Sequence, residues 1–232
     1  MTTDGDGNRR ANPANLWIGI AVLGSLWGLS EVVLNDAVRA TGLPFRAGIL
    51  AGVGMLLMGM AVGFLRRPWV LLGIPVVAVV LKQLVVPVLG VSVLCKANSC
   101  LGVGLQAVVL AGVVGLAGRR LRKTGVRVAS GAGAALISAV PFYFIGLRVA
   151  PCPYLLSFDR PGGFAAFMAV EGISWAVFSA LLFPLGYRLG AGARDPLSAL
   201  GTARPGLYYA ASVAAAAVCW IVAGFFIAGV GL

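Results

Sequence analysis

A chain of 232 residues that is 60% hydrophobic and 11% charged, with a mean hydropathy of +0.98, has too little polar surface to cover a water-soluble globule. Its formal charge of +11 therefore reads as a topological signal of a polytopic membrane protein and not as a nucleic-acid footprint. The chain has no histidine, which excludes His-ligated haem, zincin-type metal sites and Ser/His or Cys/His catalysis within it.

Residues 1–15, MTTDGDGNRRANPAN, are polar and are expected to be disordered. Arg9 and Arg10 resemble the basic start of a secretion signal. Pro13 follows them, however, and the next apolar run is long and holds a glutamate, so it reads as an uncleaved anchor.

Seven apolar stretches then run at about Leu16 to Leu34, Ala47 to Leu65, Trp69 to Gly90, Leu101 to Gly118, Val128 to Val149, Phe164 to Tyr187 and Leu207 to Val230. Each is near the roughly 20 residues needed to cross hydrocarbon. The prediction is an all-α transmembrane bundle: a six-span core over 16–190, a cytoplasmic loop over 191–206 and an appended seventh span over 207–232. The whole polar segment 188–206, RLGAGARDPLSALGTARPG, is the longest connection.

Orientation follows from the basic residues. With the amino terminus inside, the inner segments hold Arg9, Arg10, Arg66, Arg67, Arg119, Arg120, Arg122, Lys123, Arg127, Arg188, Arg194 and Arg204. The outer segments hold Arg39, Arg46, Lys96, Arg148 and Arg160. That asymmetry favours an inner amino terminus and an outer carboxyl end. Close helix crossings are expected where small residues stand four apart: Gly24 with Gly28, Gly48 with Gly52, Gly59 with Gly63 and Ala111 with Gly115.

Three charged side chains fall well within spans: Glu31 in the first, Lys82 in the third and Glu171 in the sixth. Unpaired at mid-bilayer, each would cost at least about 2.5 kcal/mol. At about 1.5 Å of rise per residue, all three lie roughly 20 Å above the inner boundary, and Gln106 of the fourth span joins them. A carboxylate from another span can therefore meet Lys82 at its own depth. Trp27 stands four residues before Glu31 and Trp175 four after Glu171, in spans of opposite direction, so each indole lies one turn below its glutamate on the same face. These residues read either as an ion pair and packing aromatics that fix helix register, or as the wall of a pocket for a small organic solute. Pro75 and Pro87 bracket Lys82 and free backbone carbonyls in that span. The connection NDAVRATGLPFR, 35–46, reads as a connector or as a lid.

Cys95 and Cys100 in CKANSC and Cys152 in APCPY fall in outer loops, and Cys219 lies in the last span. A Cys95–Cys100 disulfide staple is the simple expectation for this placement. Thiol–disulfide exchange with Cys152 as a third thiol, or soft-metal capture, are the sharper alternatives.

GSLWGLSE (24–31), GLPFRAGILAGVGMLLMGM (42–60), VVLKQL (79–84), LQAVVLAGVVG (105–115) and FMAVEGISW (167–175) together resemble the substrate-binding S components of energy-coupling factor (ECF) transporters and their relatives. The resemblance covers roughly residues 16–190. It implies a six-helix solute-binding membrane subunit of the cell membrane with an outward pocket, working with a transmembrane coupling protein and two cytoplasmic ATPases. That group has six spans, and this chain carries a seventh. Gly24 and Gly28 are the nearest match to the small-residue motif such subunits present to the coupling protein.

The sequence-level expectation is a non-enzymatic transport subunit without cofactor or metal. Its solute would sit among Glu31, Lys82, Gln106 and Glu171, walled by Trp27 and Trp175. Lys82 would hold an anionic group and a glutamate a cationic or donor group. A membrane thiol oxidoreductase using Cys95, Cys100 and Cys152, and a structural subunit without ligand, are the alternatives.

Overall fold

A computed structural model describes residues 13–43 and 45–230 of the chain. Among these residues the structure is helical, without a strand. Seven helical stretches are long and apolar enough to cross a membrane, and the chain is a multi-pass integral membrane protein. Most of the tail expected to be disordered lies outside the described residues.

The first helix, α1 (Pro13–Ala40), opens on a proline. At the first helical position a proline sacrifices only an N–H that has no partner there. Residues 35–40, expected in a loop, continue this helix, and the turn to α2 (Arg46–Leu65) is confined to the residues around Gly42. Helix α2 is glycine-rich, a composition that would fray in water. In hydrocarbon no water replaces a lost backbone hydrogen bond, so the helix is the available conformation and its glycines become contact points.

The third span is broken into α3 (Val70–Lys82) and α4 (Val85–Leu89). Pro87 causes the break: it has no N–H for the carbonyl of Gln83, which accepts instead from Val86 N at 3.0 Å. Lys82 is thereby the last residue of α3, where the negative end of the helix dipole favours an ammonium. The fourth and fifth spans are α5 (Ala97–Ala117) and α6 (Thr124–Val149), joined by a basic 3₁₀ turn, Gly118–Arg122. A short helix, α7 (Pro153–Leu156), lies in the next connection.

The sixth span begins as α8 (Gly163–Phe167), passes through one π-helical turn at Met168–Gly172 and continues as α9 (Ile173–Ala203). Two expectations change here. The π turn sits at Glu171 and was not foreseen. The segment 188–206, expected as a loop, is helix as far as Ala203, and Arg204 alone separates it from α10 (Pro205–Val230). Polarity ends the hydrocarbon-compatible stretch, but alanine, leucine and arginine keep the helix going beyond it.

The most extensive packing is α2 on α9, with α1 on α3, α6 on α9 and α5 on α6 completing a six-helix core. At the α2–α9 crossing a Cβ on Gly59 would stand 2.5 Å from the Phe183 carbonyl oxygen, and one on Gly63 2.8 Å from the Ala191 amide nitrogen. Gly186 and Gly190 face the α2 backbone as closely. Gly48 and Gly52 also abut α9, whereas Gly24 and Gly28 close α1 onto α3. Gly115 is the exception, with open space around it. The contact face of α5 runs through Gln106, Leu110 and Val114, and one residue further turns the helix about 100° away.

Helix α10 lies outside this core against α1, α4 and α9. Cys219 and Ala223 pack on Leu81, Trp220 Nε1 donates to Ser25 Oγ at 3.0 Å, and Tyr209 OH donates to Asn15 Oδ1 at 3.2 Å. The rest of α10 is largely uncovered.

Candidate functional site

The polar layer read from helix depths is assembled in three dimensions. Lys82 Nζ reaches Glu31 Oε2 at 2.8 Å, and both side chains are over nine-tenths buried. Lys82 also donates to Ser99 Oγ of α5. Trp27 Nε1 donates to the other oxygen of Glu31, Oε1, at 3.4 Å. The buried ammonium of the third span is therefore held by a carboxylate, a hydroxyl and a helix C-terminus at once. It is the one ion pair among the described residues.

Glu171 is equally buried but is met by neutral donors. Tyr154 OH donates to Oε1 at 2.6 Å and Trp175 Nε1 to Oε2 at 3.2 Å. Each tryptophan thus bonds the glutamate one turn from it on its own helix. The π turn carries Glu171 out of the regular α register, a distortion that recurs at functional positions in helices.

Tyr154 comes from α7, which the connection after α6 folds back over the bundle end. Leu155 is its buried anchor, Cys152 Sγ accepts from Leu155 N at 3.4 Å, Tyr143 OH bonds Phe158 O at 2.9 Å and Asn98 Nδ2 bonds Ala150 O at 2.9 Å. Burial, and then the hydrogen bond to the carboxylate, push the Tyr154 phenol above its ordinary pKa.

Between these elements lies a cavity of about 180 Å³. Glu31, Gln106, Glu171 and Trp175, from three different spans, line it together with Phe142 of a fourth and Phe167. The three aromatic rings form one cluster, with Phe142 centred 5.2 Å from Trp175 and 6.1 Å from Phe167. Arg46, at the start of α2, reaches the same cavity. Its volume is below the about 300 Å³ at which drug-sized pockets begin, which suits a small solute.

Two residues expected in this wall stand elsewhere. Trp27 is wholly buried beneath Glu31, with its indole against Gly54, and supports the carboxylate from behind. Lys82 faces an adjoining vestibule of about 490 Å³, which it lines with Arg39, Arg46 and Lys96 against Glu31 and Asp36. The break after Lys82 turns the ammonium toward α5 and the vestibule, a consequence of Pro87 that helix depth alone does not reveal.

Cys100, Cys152 and Cys219 are free thiols. The Cys95 side chain, the other half of the expected staple, lies outside the described residues. The sequence reading missed Tyr154 and Ser99. The only signal for Tyr154 is its position in a proline-flanked loop, PCPY, and Ser99 carries none until Lys82 is placed against it.

No protein-family model, curated protein or solved structure matches the chain.

Proposed function

We propose that this protein is a solute-binding subunit of a membrane transport system, taking a small zwitterionic or vitamin-like organic molecule into the cavity between Glu31, Gln106, Glu171 and Trp175. The observation that carries the reading is the convergence of three buried polar side chains and an aromatic wall, from four separate spans, on one cavity. Ionisable groups buried inside a membrane are costly and rare, and they mark solute and ion paths. The Glu31 charge is met by Lys82, which leaves Glu171, with neutral donors only, as the carboxylate for a cationic or hydrogen-bond-donating group of the solute. The cationic vestibule of Arg39, Arg46, Lys82 and Lys96 draws in and orients its anionic group.

In this reading the arginine-rich end of the bundle faces the cytoplasm and the cavity opens outward, the orientation that the distribution of basic residues favours. The chain itself performs no reaction and needs no cofactor. Similarity to ECF S components extends the proposal to a coupling protein and ATPases in the plasma membrane. Gly24 and Gly28 are engaged by α3, so such a partner would dock on another face.

The deciding experiment is mass spectrometry of small molecules released from the purified protein, followed by thermal-shift titration of whatever is found. Wild type should be stabilised by the solute, and Glu171→Gln and Gln106→Leu should lose that response while remaining folded. A solute response unchanged in both variants would remove the proposal. If Cys100→Ser with Cys152→Ser abolished function while Glu171→Gln left it intact, the thiol-oxidoreductase alternative would take its place.

A further inference from the structure

At the opposite end of the bundle from the solute cavity, a second pocket of about 420 Å³ opens between α2, α5 and α9. Its polar lining is cationic: Arg66 from the end of α2 and Arg119 and Arg122 from the 3₁₀ turn after α5, with the Tyr187 ring of α9 as a further wall. Behind that ring Arg127 stacks with its guanidinium carbon 4.7 Å from the Tyr187 centroid. Arg127 is over nine-tenths buried; it donates to Thr124 Oγ1 at 2.7 Å, and its Nε has no hydrogen-bond partner. None of the four arginines forms an ion pair among the described residues. The floor is apolar, with Val62 and Val114 lining it.

Three exposed guanidinium groups line the pocket without a carboxylate and repel one another, and the charge of Arg127, buried against Tyr187, lacks a counter-ion among the described residues, which is costly. Such an arrangement calls for an anion from outside the chain, and guanidinium matches phosphate oxygens through paired hydrogen bonds. The level of the pocket narrows the source. Trp69 follows Arg66, Arg67 and Pro68 directly, is half exposed, and meets the exposed Trp17 edge-on at 6.3 Å. Paired exposed tryptophans of this kind mark the headgroup region of a bilayer. An arginine rim at headgroup level above an apolar floor matches a phospholipid, with its phosphate at the rim and its glycerol and first methylenes below.

We propose that this pocket binds the phosphate headgroup of an anionic phospholipid from the leaflet at the arginine-rich end. Arg66, Arg119 and Arg122 contact the phosphate and Arg127 supplies charge through the Tyr187 wall. The site is independent of the solute cavity, so either proposal can fail alone.

The test uses the full-length protein in nanodiscs of phosphatidylcholine with graded phosphatidylglycerol, read by native mass spectrometry of retained lipid and by thermal shift. Wild type should retain phosphatidylglycerol selectively. The exposed-residue variant Arg66→Gln/Arg119→Gln/Arg122→Gln should bind it roughly 100-fold more weakly, since each such contact contributes about fivefold. Gly115→Phe, which fills the pocket and keeps every charge, should lose selectivity as well. Arg120→Gln/Arg188→Gln/Arg204→Gln, with the same change in net charge outside the pocket, should retain it. Equal lipid retention in the pocket variants and wild type would overturn the proposal, as would equal loss in the control. Stabilisation by millimolar inorganic phosphate matching that by phosphatidylglycerol would overturn the lipid assignment.

Discussion

The Lys82–Glu31 pair yields the most quantitative prediction. At 2.8 Å the two charges attract by about 6 kcal/mol at an effective dielectric of about 20. Removing one partner leaves the other buried, at a cost of roughly 3–5 kcal/mol. Glu31→Gln leaves Lys82 with Ser99 and the α3 C-terminus, while Lys82→Met leaves Glu31 with only the 3.4 Å Trp27 contact. The second change should therefore be the more damaging. The double variant holds no uncompensated charge and should fall within about 2 kcal/mol of wild type, giving a coupling energy of roughly 3 kcal/mol or more. Reversible unfolding in mixed micelles, measured for all four proteins of the cycle, tests this. Additive losses, with a coupling below about 1 kcal/mol, would mean that the pair does not offset the burial of its charges.

Tyr154 gives a pH dependence. Its folded-state pKa is raised by burial and by Glu171, so the stability it contributes is full below the unfolded value of about 10 and is lost as pH rises above it. Thermal melts of wild type should fall more steeply above about pH 10 than those of Tyr154→Phe; parallel curves would refute the assignment. Gly59→Val pushes a side chain into the α9 backbone, where a Cβ already stands 2.5 Å from the Phe183 oxygen. It should destabilise by at least about 1–3 kcal/mol, the range for overpacking, whereas Gly115→Val in open space should not, as detergent unfolding of both will show. Trp220→Phe removes the hydrogen bond to Ser25 and should cost only about 0.6 kcal/mol, a typical value for such bonds in bilayers. Deleting residues 205–232 exposes α1 and α4 to lipid and not to water, so the six-helix core should remain monodisperse by size-exclusion chromatography. Aggregation of that truncated protein would show α10 to be part of the core.

The sequence by itself determined the class, the seven spans and the depth of the polar layer, because a bilayer imposes a length and a polarity on each helix and charged residues inside it are few enough to compare. The Trp27/Glu31 and Trp175/Glu171 ladders were legible for the same reason: four residues of helix place a donor and an acceptor one turn apart, whatever packs around them. Rotation about each helix axis was not legible. Depth says that Lys82 and Glu31 share a level, but only the packed bundle decides that Lys82 faces the vestibule, that Trp27 backs the cavity without lining it, and that Gly115 meets no helix. The π turn at Glu171, the break after Lys82 and the fold-back of Tyr154 likewise follow from partners distant in sequence. Those partners fix where a backbone departs from regular helix, a choice that local hydropathy does not encode.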